Sequence, residues 1–275
     1  MIASSRLRTA PLGLMKRIPV VAALVTAGVV AGVAADRTDT NPTLSPLRAP
    51  SRSMTGDELF QKLLEHNRLR DLRLEQYSAV RTYQVTNTQG KLYAQEVVHV
   101  QYQAPDRKTF AVDSEEGSTL VRDLVLKRLV ESEAETSSGR AHRDSSIKPA
   151  NYEFTILGEQ DIGTYHCLVV AAVPRRNDKY LFEGKIWIDA QDFAIVRIAG
   201  QPAQRLSFWI TRADFVRQYQ KIGEFWLPER DETLVHVRLN GNKALIIDHR
   251  NYSINSVADS GTQQLPRGGE TGGQK

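Results

Sequence analysis

From Tyr152 to Ile254 the chain runs in short stretches of alternating apolar residues, with turn residues between them. The pattern predicts strands at 152–158, 164–173, 180–189, 193–200, 206–220, 224–229, 232–240 and 243–254. The links are short. Asp189–Asp192 and Lys221–Gly223 read as hairpin loops, and Asn240-Gly241 offers two residues that accept positive φ. Strands joined this tightly must pair antiparallel, because a parallel neighbour needs a long crossover.

Upstream of this region the pattern is mixed. Thr55-Gly-Asp-Glu58 forms a capping box, and Leu59, Phe60, Leu63, Leu64 and Leu72 follow at helical spacing. From Tyr77 the period changes to two. Three strands are expected, carrying Tyr77, Tyr83 and Val85, then Val98, Val100 and Tyr102, then Phe110 and Val112. Gln89-Gly90 and Ala104-Pro105-Asp106 mark their turns. A second helix is expected over 119–135, with an apolar arc that includes Leu126 and Leu129, and 132–149 reads as a polar loop. The expected fold is α+β: about eleven strands in one large curved antiparallel sheet, an incomplete β-barrel with helices covering the concave side.

The two ends differ from this body. Arg6, Arg8, Lys16 and Arg17 precede an uncharged run from Ile18 to Ala35, and Val33 and Ala35 precede Asp36 as a small-residue cleavage signal. Residues 1–35 therefore read as an export signal cleaved at Ala35, or as an uncleaved anchor, and either fate puts the rest in the periplasm. Without those residues the chain has 32 basic and 32 acidic side chains, so the net charge of +4 makes no case for nucleic acid. The mature end has no cysteine for lipidation. Proline-bearing residues 36–53 read as a disordered tether and glycine-bearing 257–275 as a disordered tail, leaving 54–256 as the folded domain.

Catalytic signatures are missing. No two histidines stand at metal-ligand spacing, and neither His-Glu-x-x-His nor Cys-x-x-Cys occurs. His99, His166, His236 and His249 all fall on expected strands. His142-Arg143-Asp144 copies three letters of a kinase loop without the glycine-rich loop or the Asp-Phe-Gly that such a site needs. Asp231-Glu232 and Glu115-Glu116 read as solvated carboxylates at turns, and Arg175-Arg176 as turn residues. The single cysteine, Cys167, lies in an apolar run and reads as a small core residue. No enzyme, metal or cofactor is expected.

The aromatic residues say more. Phe208-Trp209-Ile210 and Phe225-Trp226-Leu227 put bulky apolar groups on both faces of their strands. If helices cover only one face, part of that surface lines a cavity or meets a partner, and an apolar cavity without polar convergence suits a hydrocarbon.

Gly184-Lys-Ile-Trp-Ile-Asp189, Ile195-Val-Arg-Ile-Ala-Gly200 and Gly223-Glu-Phe-Trp-Leu-Pro228 resemble the outer-membrane lipoprotein-sorting group, with the LolA/LolB-like fold to which RseB-type sensors are related. Asn151-Tyr-Glu-Phe154, Gly158 and Tyr165-His-Cys167 resemble the stretch preceding these motifs. The resemblance covers about 55–255. It implies an incomplete barrel of about eleven strands with a helical lid, and acyl chains held between them. The function it implies is a periplasmic, monomeric, non-enzymatic carrier or sensor for acyl chains of lipids or lipoproteins. The alternative is an RseB-type envelope regulator or scaffold that binds a membrane-protein partner. The group has no sequence motif for its binding positions. Parity and the second helix nominate Tyr83, Val85, Val98, Val100, Phe110, Val112, Leu126 and Leu129, and the strand aromatics add Trp187 and Phe208.

Overall fold

The computed structural model describes residues 8–11, 44–51, 53–105, 107–123, 146–178, 180–204, 208, 210–238 and 241–255. The capping box forms as expected and starts α1 (Gly56–Arg73): Thr55 Oγ1 accepts from the Glu58 amide at 3.2 Å, and the Glu58 carboxylate accepts from the Thr55 amide at 2.8 Å. Leu59, Phe60 and Leu63 are fully buried, and Phe60 stacks on Phe154 at 3.5 Å between ring centroids. Gly56 is required by this contact, since a Cβ there would lie 2.2 Å from the Phe154 carbonyl oxygen. Leu72, on the last turn, is exposed rather than part of the buried stripe.

The strands are β1 (Arg8–Pro11), β2 (Gln76–Asn87), β3 (Leu92–Gln103), β4 (Arg107–Gly117), β5 (Tyr152–Ile162), β6 (Tyr165–Pro174), β7 (Phe182–Asp189), β8 (Ile195–Pro202), β9 (Ile210–Ile222), β10 (Phe225–Val237) and β11 (Gly241–Ile254). They form one antiparallel sheet in the order β1-β4-β3-β2-β11-β10-β9-β8-β7-β6-β5. β1, next to β4, and β5 stand at opposite ends, so the barrel is not closed. β2 to β4 are one meander and β5 to β11 another; β2 and β11 join them, with Tyr83 opposite Ile247 and Arg81 opposite His249. Short β1, inside the segment read as an export signal, pairs with β4.

Two expected strands, 224–229 and 232–240, are one. β10 runs through Asp231 with a bulge between Pro228 and Arg230, where a proline is tolerated in a sheet. The expected turn at Asp231-Glu232 is therefore corrected, because Asp231 pairs with Arg217 in the sheet interior instead of facing water. Glu115-Glu116 also lies in a strand, β4, where both side chains are exposed. Of the expected second helix only one turn, α2 (Thr119–Val121), is described, capped by the Ser118 hydroxyl. Leu126, Leu129 and the rest of that helix lie outside the described residues, and a helical cover of the concave side is not seen among those described. Residues 44–51, read as tether, run along β5: Arg48 and Glu159 exchange both backbone hydrogen bonds at 2.8 Å. Pairing with an edge strand orders this segment despite its few apolar residues.

Strand alternation sorts the core. Leu59, Phe60 and Leu63 of α1 join Phe154, Leu168, Val170, Ile186, Ile188 and Phe215 in one cluster on the inner face. Ala213, two residues before Phe215 and so on the same face, belongs to a second cluster that extends across β2, β3, β4, β10 and β11. Cys167, Val169, Trp187 and Trp226 sit in a third cluster. Cys167 is a buried core residue, as read, and burial pushes its thiol up to about 12.

Candidate functional site

The β2–β3–β4 meander puts alternate side chains on the inner face, which brings together five of the expected site residues. Tyr83, Val85, Val98, Val100 and Phe110 share the second cluster with Tyr77 and Tyr102, each at most 8% exposed. Tyr77 stacks on Tyr102 at 5.2 Å. The other expected residues are elsewhere. Val112 pairs with Val98 but is 54% exposed, because β4 is flanked on its far side only by the short β1. Trp187 alternates with Ile186 and Ile188 and so faces away from α1, where its indole donates to Gln160 Oε1 at 2.7 Å. Phe208 is 70% exposed, with the Arg238 guanidinium 4.4 Å from its ring centroid.

Sequence reasoning missed the charge on this face. Phe215, Arg217 and Tyr219 alternate along β9. Arg217 lies opposite Asp231 of β10 and donates to its Oδ1, and Asp231 Oδ2 is 3.3 Å from His249 Nε2 of β11. His249 in turn lies opposite Arg81 of β2, which donates to the Tyr83 hydroxyl at 3.3 Å. All four charged or titratable residues are nearly buried. They form a row across β9, β10, β11 and β2, at right angles to the strands. The inner face is thus not apolar throughout. Burial alone would push the Asp231 carboxyl up, but Arg217 and then His249 pull it below the usual carboxylate range. The same carboxylate holds Arg217 in its charged form, raised against the opposing effect of burial.

One more cation, Lys108, lies beside the apolar cluster with Arg81. Lys108 is 3% exposed with its ammonium 5.5 Å from the Phe110 ring centroid, and the Arg81 guanidinium is 5.8 Å from the same ring. Glu96, opposite both Tyr83 and Glu115, has its carboxyl pushed up by burial and by Glu115. The face therefore combines an apolar floor with buried charge of both signs. Parity could have put Asp231 on the inward face with Thr233 and Val235, but not beside its partners on β9 and β11.

The four expected strand histidines do not converge. His99 is 3.9 Å from Asp113, His166 is 2.7 Å from Asp161, and His236 is 2.6 Å from Asn242, while His249 faces Asp231. Strands β3 and β6, which carry His99 and His166, lie far apart in the sheet. Among the described residues no group of three or more His, Cys, Asp or Glu side chains could hold a metal. A cavity of about 300 Å³ opens at the β5–β6 turn, lined in part by Tyr165, Val196, Arg197, Gln218 and Glu229. Arg197 stacks over Trp187 at 5.5 Å, and burial pulls its pKa down.

No family model and no curated protein matches the chain. Solved structures do. One is an outer-membrane lipoprotein-sorting protein domain from Vibrio parahaemolyticus, 13% identical, with a TM-score of 0.44 over 74% of this chain and 95% of that one. Another is a LolA superfamily protein from Nitrosomonas europaea, 11% identical, with a TM-score of 0.36 over 75% of this chain and 96% of that one. A third is the MucA/MucB complex from Pseudomonas aeruginosa, 9% identical, with a TM-score of 0.27 over 70% of this chain and 93% of the matched one. The first two carry the name of the group that the sequence motifs resemble. The fold assignment rests on strand order and register, and the low identities carry nothing about ligand or partner. Among the described residues no helix is long and apolar enough to cross a membrane.

Proposed function

We propose that the chain is an exported, non-enzymatic protein that binds acyl chains of lipids or lipoproteins, as a periplasmic carrier or sensor. The observation behind this reading is the gathering of Tyr83, Val85, Val98, Val100 and Phe110 on one face of an open sheet, beside buried Arg81 and Lys108. The valines and rings offer an acyl chain van der Waals contact and removal from water, on the order of 0.8 kcal/mol per methylene buried. Two cations over the Phe110 ring offer a partner for an anionic head at the end of that chain. An amphiphile uses both features.

The test is uptake of cis-parinaric acid, a naturally fluorescent fatty acid, by the purified full-length protein, alongside native mass spectrometry of protein taken from an envelope fraction. Saturable fluorescence and a co-purifying lipid mass are expected. A ligand-free spectrum together with no uptake refutes the reading. The MucA/MucB complex has a protein for a ligand. Crosslinking to one envelope protein, with no lipid found by either method, would move this chain to that class.

A further inference from the structure

The sheet has a free end at β5, and residues 44–48 lie on it. The contact consists of two isolated bridges, Leu44 to Ile162 and Arg48 to Glu159. Arg48 and Glu159 exchange backbone bonds at 2.8 Å, and the Ser45 amide donates to the Asp161 carbonyl at 3.2 Å. Between the bridges Pro46 has no amide to give, so the ladder is incomplete. The segment is also poorly buried, with Leu44 38% and Leu47 50% exposed.

The edge nevertheless has features that fit a strand of this kind. Gly158 sits at a bulge with φ +154°, and a Cβ there would lie 2.1 Å from the Arg48 carbonyl oxygen. Only glycine lets the added chain come this close. Asp161 receives the Arg48 guanidinium at 2.8 Å and 3.0 Å, and the Glu159 carboxylate accepts from both the amide and the hydroxyl of Ser51. His166 of β6 lies 3.2 Å from Glu159 and 2.7 Å from Asp161. Gln160 reaches the Ser45 carbonyl with its amide and the Trp187 indole with its oxygen, which ties the edge to the core.

We propose that the β5 edge is a docking site for an extended, basic peptide segment of a partner protein, and that residues 44–48 fill it in cis until such a segment displaces them. The chemistry of the partner follows from the present occupant and from the two edge carboxylates. It is a strand with a basic residue opposite Glu159 whose side chain reaches Asp161, and with an amide where this chain has Pro46. Strand addition takes its affinity from main-chain hydrogen bonds and its specificity from alternate side chains. A segment tethered in cis competes at an effective concentration on the order of millimolar, so the resting protein is closed to weak peptides. This site lies apart from the acyl-binding face and does not depend on that reading.

The experiment uses the full chain and a fluorescein-labelled peptide of residues 42–53, read by fluorescence anisotropy. Arg48→Glu in the protein sets a carboxylate against Asp161 and Glu159 and loosens the cis segment. The arginine peptide should bind this variant at least about tenfold more tightly than it binds the wild type. Adding Asp161→Lys should abolish that binding, because the charge pair between positions 48 and 161 is then restored in reverse and the cis segment closes the edge again. Native tryptophan fluorescence confirms that each variant is folded. Equal affinity for wild type and Arg48→Glu, or binding to neither, overturns the proposal. Wild-type dimers that the peptide dissolves would also overturn it, because the occupant would then be a second copy of this chain.

Discussion

Asp231→Asn isolates the row of buried charge. The substitution keeps the size of the side chain and removes its charge, leaving the Arg217 guanidinium inside the sheet without its counter-ion. Breaking a buried pair by removing one partner costs about 3–5 kcal/mol. With a urea m value of about 3 kcal/mol/M, the midpoint falls by about 1–1.7 M. Replacing both partners, Arg217→Met with Asp231→Leu, behaves differently. Well-packed apolar substitutes for a buried pair contribute about 0–4 kcal/mol. His249 then loses its acceptor, at a cost of about 1–3 kcal/mol, so the double variant stays within about 3 kcal/mol of wild type and above the single one. Urea titrations read by tryptophan fluorescence measure all three proteins. Acid supplies a second readout. The Asp231 carboxyl is depressed in the folded state, so its contribution is complete above its unfolded value of about 3.9 and is lost as pH falls below it. The double variant should lack this acid-sensitive component. A single variant within about 0.3 M of wild type, or a double variant as unstable as the single, would refute a structural ion pair.

Gly184→Ala places a methyl group 2.1 Å from the Ala199 carbonyl oxygen across the β7–β8 pair, so a loss of about 1–3 kcal/mol is expected in the same titration. Cys167 should resist Ellman's reagent at pH 8 in the native protein and react at once in denaturant, since burial raises its thiol to about 12. Glu159 and Asp161 are both depressed, Glu159 chiefly by Ser51 and Asp161 chiefly by His166 and then Arg48. Both therefore hold residues 44–51 above the usual carboxylate range and release them below it, so hydrogen-exchange protection of the Arg48 and Glu159 amides should hold down to about pH 4 and fall below it.

Local periodicity made most of the sheet legible. Each hairpin reads from its own strands and turn, and the capping box names the start of α1 within a residue. The two glycines of the Gly184–Asp189 and Ile195–Gly200 motifs prove to be cross-strand partners, which explains why neither position carries a side chain. The charged row was hidden by distance. Arg217, Asp231 and His249 are 14 and 18 residues apart, and only the register of β9, β10 and β11 aligns them. An acidic pair after a proline looks like a turn until that register is known. Trp187 was ambiguous for another reason: with isoleucines on both sides, its strand is apolar on both faces and alternation cannot say which one it takes.

The seam between β2 and β11 makes the molecule bipartite. Every other pairing among β2 to β11 joins strands adjacent in sequence, so each meander is local and, among these strand pairings, this one alone closes a long loop. A chain cut between Asp123 and Ser146 severs no described strand. Its halves would carry whole meanders with complementary edges, and reassembly would restore Arg81 opposite His249. The protein is, in effect, a natural candidate for fragment complementation, with buried charge at the joint to reward the right alignment.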